Sequence, residues 1–166
     1  MGGTEEVRIN RNVYFSHEQN AKTMTSPTKI PAWFWVIGII MLLWNLMGIA
    51  SFYMHVFISE EALQALPEAE RALFGQYPTW TAVVFALATF GGLFGCIALL
   101  LKKKVAQILF IVSLVAIIVQ MSHSLFMTDS VEVYGTGAYY MPIMVVLIGA
   151  FLVWFSGHGT KKGWLS

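Results

Sequence analysis

The sequence predicts an all-α integral membrane protein, a four-helix bundle with both termini in the cytoplasm. Three observations carry this expectation. Four apolar runs each approach or exceed the length needed to cross a bilayer, about 20 residues at 1.5 Å per residue. Hydrophobic residues make up 57% of the chain and charged residues 11%, against about 25% charged in an ordinary soluble domain, so lipid must cover part of what water covers elsewhere. Nine of the ten basic residues fall on one side once four crossings are assumed.

Residues 1–30 are polar, mixed in charge and without apolar periodicity, and read as a disordered tail. Met24, opening a Met-Thr-Ser-Pro-Thr-Lys stretch, is an alternative start. The first apolar stretch begins too late and runs too long for a cleaved signal peptide. A membrane domain is expected over 31–157. Its first span covers about 32–57, with Pro31 at the first turn, where a helix tolerates proline. The second covers about 79–101, the third about 105–126, and the fourth, the shortest, about 139–155. None contains Asp, Glu, Lys or Arg, each of which costs about 2.5–3.5 kcal/mol at the centre of an inserted helix. Residues 158–166 read as a cytoplasmic C-terminal tail.

Orientation follows from the positive-inside rule. Arg8, Arg11, Lys22 and Lys29 precede span one, Lys102, Lys103 and Lys104 fill the turn between spans two and three, and Lys161 and Lys162 follow span four. Only Arg71 lies opposite. Trp33, Trp35, Trp154 and Trp164 fall near the cytoplasmic interface, and Tyr53, Tyr77, Trp80, Tyr139 and Tyr140 near the outer one, as amphipathic rings prefer. The outer loop at 59–75 reads as one or two short amphipathic helices: Ser59 before Glu60 and Glu61 resembles an N-cap, and Pro67 before Glu68 and Glu70 a second start.

Few positions invite a functional reading. In span one Gly38, Met41, Asn45, Gly48, Ser51 and His55 share one side of the wheel. In span three Ser113, Ala116, Gln120, His123, Ser124 and Met127 do the same. The two helices run parallel. His55 lies ten residues beyond Asn45 and His123 ten beyond Ser113, so the histidines share a depth if Asn45 and Ser113 do. Asn45, Ser51, His55, Ser113, Gln120 and His123 are therefore the candidate lining of a polar cavity. The amides of Asn45 and Gln120 must face protein or water, because an unsatisfied amide in hydrocarbon costs several kcal/mol. No metal is expected. His55 and His123, with Met127 as a soft donor, are the residues that would hold one, yet two histidines make an incomplete site. Gly91, Gly92 and Gly95 mark span two as a close-packing helix.

Enzymatic chemistry has no foothold: there is no phosphate-binding glycine loop, no HExxH, no GxSxG and no intramembrane carboxylate. The lone Cys96 forms no intramolecular disulfide. A net charge of +1 offers nothing to nucleic acid, and no cofactor is expected.

The segments Trp44-Asn45-Leu46-Met47-Gly48, Glu61 to Leu73, Glu132-Val133-Tyr134-Gly135 and Lys162-Gly163-Trp164-Leu165-Ser166 resemble a family of small four-span bacterial membrane proteins loosely labelled sugar transporters. The resemblance covers roughly 28–166. It implies an inner-membrane location and the four-helix topology, and it suggests sugar transport by name; no site residues define the family.

Three functions are carried forward. The first is a non-enzymatic accessory or interaction component of the bacterial inner membrane, with the lipid bilayer, a second copy or other membrane proteins as partners. The second is a small-solute, sugar-like transporter working as an oligomer, since four helices alone leave little room for a solvated sugar. The third is a redox, metal or haem-binding protein using His55 and His123.

Overall fold

The computed structural model describes residues 29–166, and every described element is helical. The expected tail and the alternative start at Met24 fall outside the described residues, apart from Lys29 and Ile30. Four helices are long and apolar enough to cross a membrane. They are α1 (Ala32–Val56), α4 (Thr79–Leu100), α5 (Val105–Phe126) and α7 (Tyr140–Lys161). Between α1 and α4 lie two short helices, α2 (Glu60–Gln64) and α3 (Glu68–Phe74). A third, α6 (Ser130–Tyr134), and a 3-10 turn (Gly135–Tyr139) precede α7.

Local chemistry explains most of the helix ends. Pro31, Pro67 and Pro78 each occupy the residue before a helix, in extended or near-extended backbone, where a missing N–H costs nothing. Pro31 thus stands one place earlier than the first-turn position the sequence suggested. Ser59 Oγ accepts from the Ala62 amide at 3.2 Å, an N-cap with Glu60 and Glu61 in the first turn, where acids also favour the helix dipole.

The turn between α4 and α5 closes as a Schellman motif. Lys103 N–H donates to the Ala98 carbonyl at 2.8 Å and Lys102 N–H to Leu99 at 2.9 Å. Lys102 holds the left-handed position, φ 59°, which glycine usually fills. The C-terminal end of α7 repeats the motif with a glycine: Gly163 has φ 72°, and Trp164 N–H donates to the Gly159 carbonyl at 2.9 Å. This turn throws Trp164 and Leu165 back into the bundle, and Ser166 N–H then donates to the Lys102 carbonyl at 2.7 Å.

The fourth long helix runs to Lys161 rather than ending near 155, and within the expected tail at 158–166 Trp164 and Leu165 are buried. Gly157 and Gly159 lie within this helix. A Cβ at Gly157 would lie 3.1 Å from Gln107 Nε2, and one at Gly159 would be in ordinary contact with Leu165 at 3.5 Å.

The long helices pack in the order α1, α4, α5, α7. Contacting positions run in opposite senses, which makes each neighbouring pair antiparallel. Gly38 meets Leu100, Gly48 meets Thr89, and Phe52 meets Phe85 at 5.5 Å between ring centroids. Gly95 meets Phe110 while Gly91 meets Ser113, and Gly149 meets Leu114. The glycines of α4 make a close seam: a Cβ at Gly95 would stand 2.6 Å from the Phe110 ring. The seam lies within the bundle, facing α5 on one side and, through Gly92 and Asn45, α1 on the other.

The dry core sits at the end that carries the lysines. Phe34, Leu99, Phe110, Phe155 and Leu165 are fully or almost fully buried there. Phe34 stacks on Phe155 at 5.5 Å and 27°, and Trp164 meets Phe34 edge-on at 5.7 Å. Outside this core, Ile40, Leu43, Phe94, Val115 and Leu147 lie exposed on the flanks, and exposed apolar surface of this kind marks contact with a membrane or another protein.

Candidate ligand chamber

Away from the lysine end the packing opens. A chamber of about 220 Å³ lies between the four long helices. One wall is α1, through Trp44, Asn45, Met47, Gly48 and Ser51; the opposite wall is α7, through Met141, Val145, Ile148, Gly149 and Leu152. The floor is α4 and α5, from which Thr89, Ser113 and Gln120 reach it. Four of the six residues expected to line a polar cavity thus meet in one place: Asn45, Ser51, Ser113 and Gln120.

Most of the hydrogen-bonding capacity there is already engaged. Asn45 Nδ2 donates to the Met41 carbonyl at 2.8 Å and to Cys96 Sγ at 3.4 Å. Its Oδ1 lies over Gly92, where any Cβ would run into it. Ser113 Oγ donates across the helix seam to the Ala88 carbonyl at 2.6 Å. Thr89 Oγ1 donates to the Phe85 carbonyl of its own helix at 2.9 Å. Gln120 differs. It is 5% exposed, and its Oε1 has no hydrogen-bond partner. Leaving a buried polar atom unpaired costs about 1–3 kcal/mol; Gln120 lines the chamber, and a turn of its terminal amide, a soft torsion, would bring that oxygen to a partner there.

The two histidines do not enter this chamber. His55 stacks on Phe74 at 4.8 Å between centroids, and His123 meets Trp80 edge-on at 5.1 Å. Between them stands Tyr77, whose ring is 5.2 Å from His55 and 5.6 Å from His123. Equal depth therefore did not make them converge: an aromatic ring from the α3–α4 linker fills the space. Tyr77 Oη is fixed by a 2.9 Å hydrogen bond with Ser124 Oγ. Met127, the soft donor expected beside them, is 74% exposed. Among the described residues no three His, Cys, Asp or Glu side chains group as a metal site. His123 Nδ1 is buried without a partner.

Compared with protein families, curated proteins and solved structures, the chain finds no match.

Beyond the chamber, toward the loops, lies a second and wider cavity of about 550 Å³, lined among others by His55, Glu70, Tyr77 and Tyr134. Met121 and Met141 border both cavities. The loops that roof this region are tied by Gln76, whose Nε2 donates to Asp129 Oδ2 at 2.5 Å while its Oε1 accepts from the Asp129 amide at 2.8 Å. Gln76 and the α7 wall were not among the residues singled out from sequence, and Tyr77 was expected only as an outer-interface ring. Gln76 and Tyr77 lie in a polar linker with no periodicity to read, and α7 offers no polar residue at the chamber's depth.

Proposed function

We propose that the chain is a multi-pass protein of the bacterial inner membrane with both termini in the cytoplasm, and that it acts as a non-enzymatic accessory or interaction component. The observation that carries this reading is the chemistry of the chamber. Its lining holds no Asp, Glu, Lys, Arg, His, Cys or Tyr, so it supplies no general acid, general base or activated nucleophile. The apolar flanks of all four long helices support the membrane part of the reading, and the clustering of lysines at one end supports the orientation.

The test has two arms. In intact spheroplasts, Gln64→Cys is labelled by a membrane-impermeant maleimide and Lys103→Cys only after lysis; the reverse pattern would overturn the orientation. Photocrosslinking in native membranes then captures another membrane protein, and recovery of the chain with nothing but itself would count against the accessory role.

One observation favours a second reading, the oligomeric small-solute transporter. The two cavities stack along the bundle and share Met121 and Met141, as the half-pathway of a carrier would. Uptake into proteoliposomes decides it: no flux across a broad panel of neutral solutes, from folded protein, removes this reading. The metal or haem reading draws no support, because Tyr77 separates the rings it needs.

A further inference from the structure

The chamber is half built for a ligand, and its chemistry narrows what that ligand is. Three polar side chains on its wall, Asn45, Thr89 and Ser113, direct their donors to protein acceptors. Gln120, nineteen-twentieths buried, is the lining residue whose buried polar atom has no partner; Ser51, also on the lining, is exposed and makes no side-chain hydrogen bond among the described residues. A polyhydroxylated solute needs many groups to replace its water shell and finds few here. A carboxylate or phosphate finds no cation in the lining and would be an uncompensated charge in an apolar enclosure. The site suits a molecule with one polar group on an apolar body.

Its mouth points the same way. α1 and α7 approach at the lysine end, where Trp33 and Phe34 meet Phe155 at 5.7 and 5.5 Å, but no extended packing joins them elsewhere. Met47 of α1 and Met141 of α7 line the chamber while being 64% and 58% exposed on the surface of the bundle. The chamber therefore opens sideways between these two helices, on the apolar flank. The end toward the lysines is shut by Phe110 and Leu152, both buried. A volume of about 220 Å³ is many times the roughly 10–15 Å³ that a single water needs on the same measure. That is enough for a head group and the first few carbons, with the rest of the chain left outside.

We infer that the chamber is a binding site for an uncharged, single-headed amphiphile, such as a long-chain alcohol, which enters from the bilayer between α1 and α7 and donates its hydroxyl hydrogen to Gln120 Oε1. The inference rests on the membrane reading above. Methionines at both sides of the mouth suit it, since their flexible thioethers adapt to variable apolar shapes.

The test uses the whole chain in lipid nanodiscs with a diazirine-bearing fatty alcohol as the probe, and the labelled peptides are mapped by mass spectrometry. Labelling is expected on Met121 and on α7 from Met141 to Leu152. It is expected to saturate and to be displaced by dodecanol, but not by palmitate or glucose. Gln120→Leu, which keeps the volume and removes the amide, lowers apparent affinity about fivefold, the effect of about one hydrogen bond. Met141→Trp, which narrows the mouth and leaves Gln120 in place, abolishes chamber labelling. Non-saturable labelling confined to the outer flank at Ile40, Leu43, Phe94 and Val115 would overturn the inference while leaving the membrane reading standing. So would glucose competing as well as dodecanol, or a Gln120→Leu variant that binds like the wild type. A chain washed off membranes by alkaline carbonate would fail the membrane reading itself, and the inference with it.

Discussion

The two halves of the bundle are built differently. At the lysine end, large side chains from α1, α4, α5 and α7 interlock with the returning Trp164 and Leu165, and the buried set is almost wholly apolar. At the loop end, the same four helices enclose space, and the buried set includes Asn45, Thr89, Ser113 and Gln120. If the helices lie in lipid, as proposed, apolar contact between them has no hydrophobic advantage over contact with acyl chains, so close packing and interhelical hydrogen bonds would hold the bundle together. The contrast says where that holding is done. The lysine half can keep the fold, which leaves the loop half free to stay hollow and to tolerate an amide without a partner.

Substitutions should therefore separate the halves. The largest loss is expected for Phe155→Ala, which empties the centre of the aromatic cluster and costs about 3–5 kcal/mol; reversible unfolding in mixed micelles measures it, and a loss under about 1 kcal/mol would dissolve the contrast. Next comes a matched pair of glycines. Gly95→Ala drives a methyl into the Phe110 ring and costs about 1–3 kcal/mol. Gly48→Ala, whose Cβ would sit 3.7 Å from Thr89 on the chamber wall, stays within about 0.5 kcal/mol. Equal effects at the two sites would mean that the halves are packed alike. Gln120→Leu should raise stability by about 1 kcal/mol, because it removes an unpaired buried amide; a drop of that size would show that the amide is serving the fold. The smallest effect is expected for Ser113→Ala, which deletes the bond to the Ala88 carbonyl at a cost of about 0.6 kcal/mol, the average for such bonds between membrane helices. A cost several times larger would make Ser113 a principal tie of the seam.

The four spans and four polar residues of the chamber could be read in advance; the aromatic core at the lysine end and the α7 wall could not. The four long helices announce themselves because apolar runs of bilayer length, bounded by prolines and lysines, leave few alternatives. The Ser59 cap was legible for a similar reason, since the serine and the two acids that follow serve one helix end. Gly91, Gly92 and Gly95 signalled close approach, but only the structure shows that Phe110, Ser113 and Asn45 are what approach them. Periodicity gave depth and face for His55 and His123 without saying what would stand between them, and Tyr77 lies in a stretch that has no period. The α7 wall was invisible because it contributes shape alone: Met141, Val145 and Gly149 look like any lipid-facing helix.

The glycine seam has a mechanical consequence. It binds α4 to α5 as one stiff hairpin, while the walls of the chamber belong to α1 and α7, which share no seam. At 1.5 Å per residue α1 is about 37 Å long and α7 about 33 Å, so a thinner bilayer would make α1 lean further than its neighbours. Leaning that α4 and α5 resist is transferred to the gap beside Met47 and Met141. The aperture would then widen or narrow with membrane thickness, and spin labels at those two positions, measured in short-chain and long-chain lipids, would register the change or, by showing a constant separation, refute it.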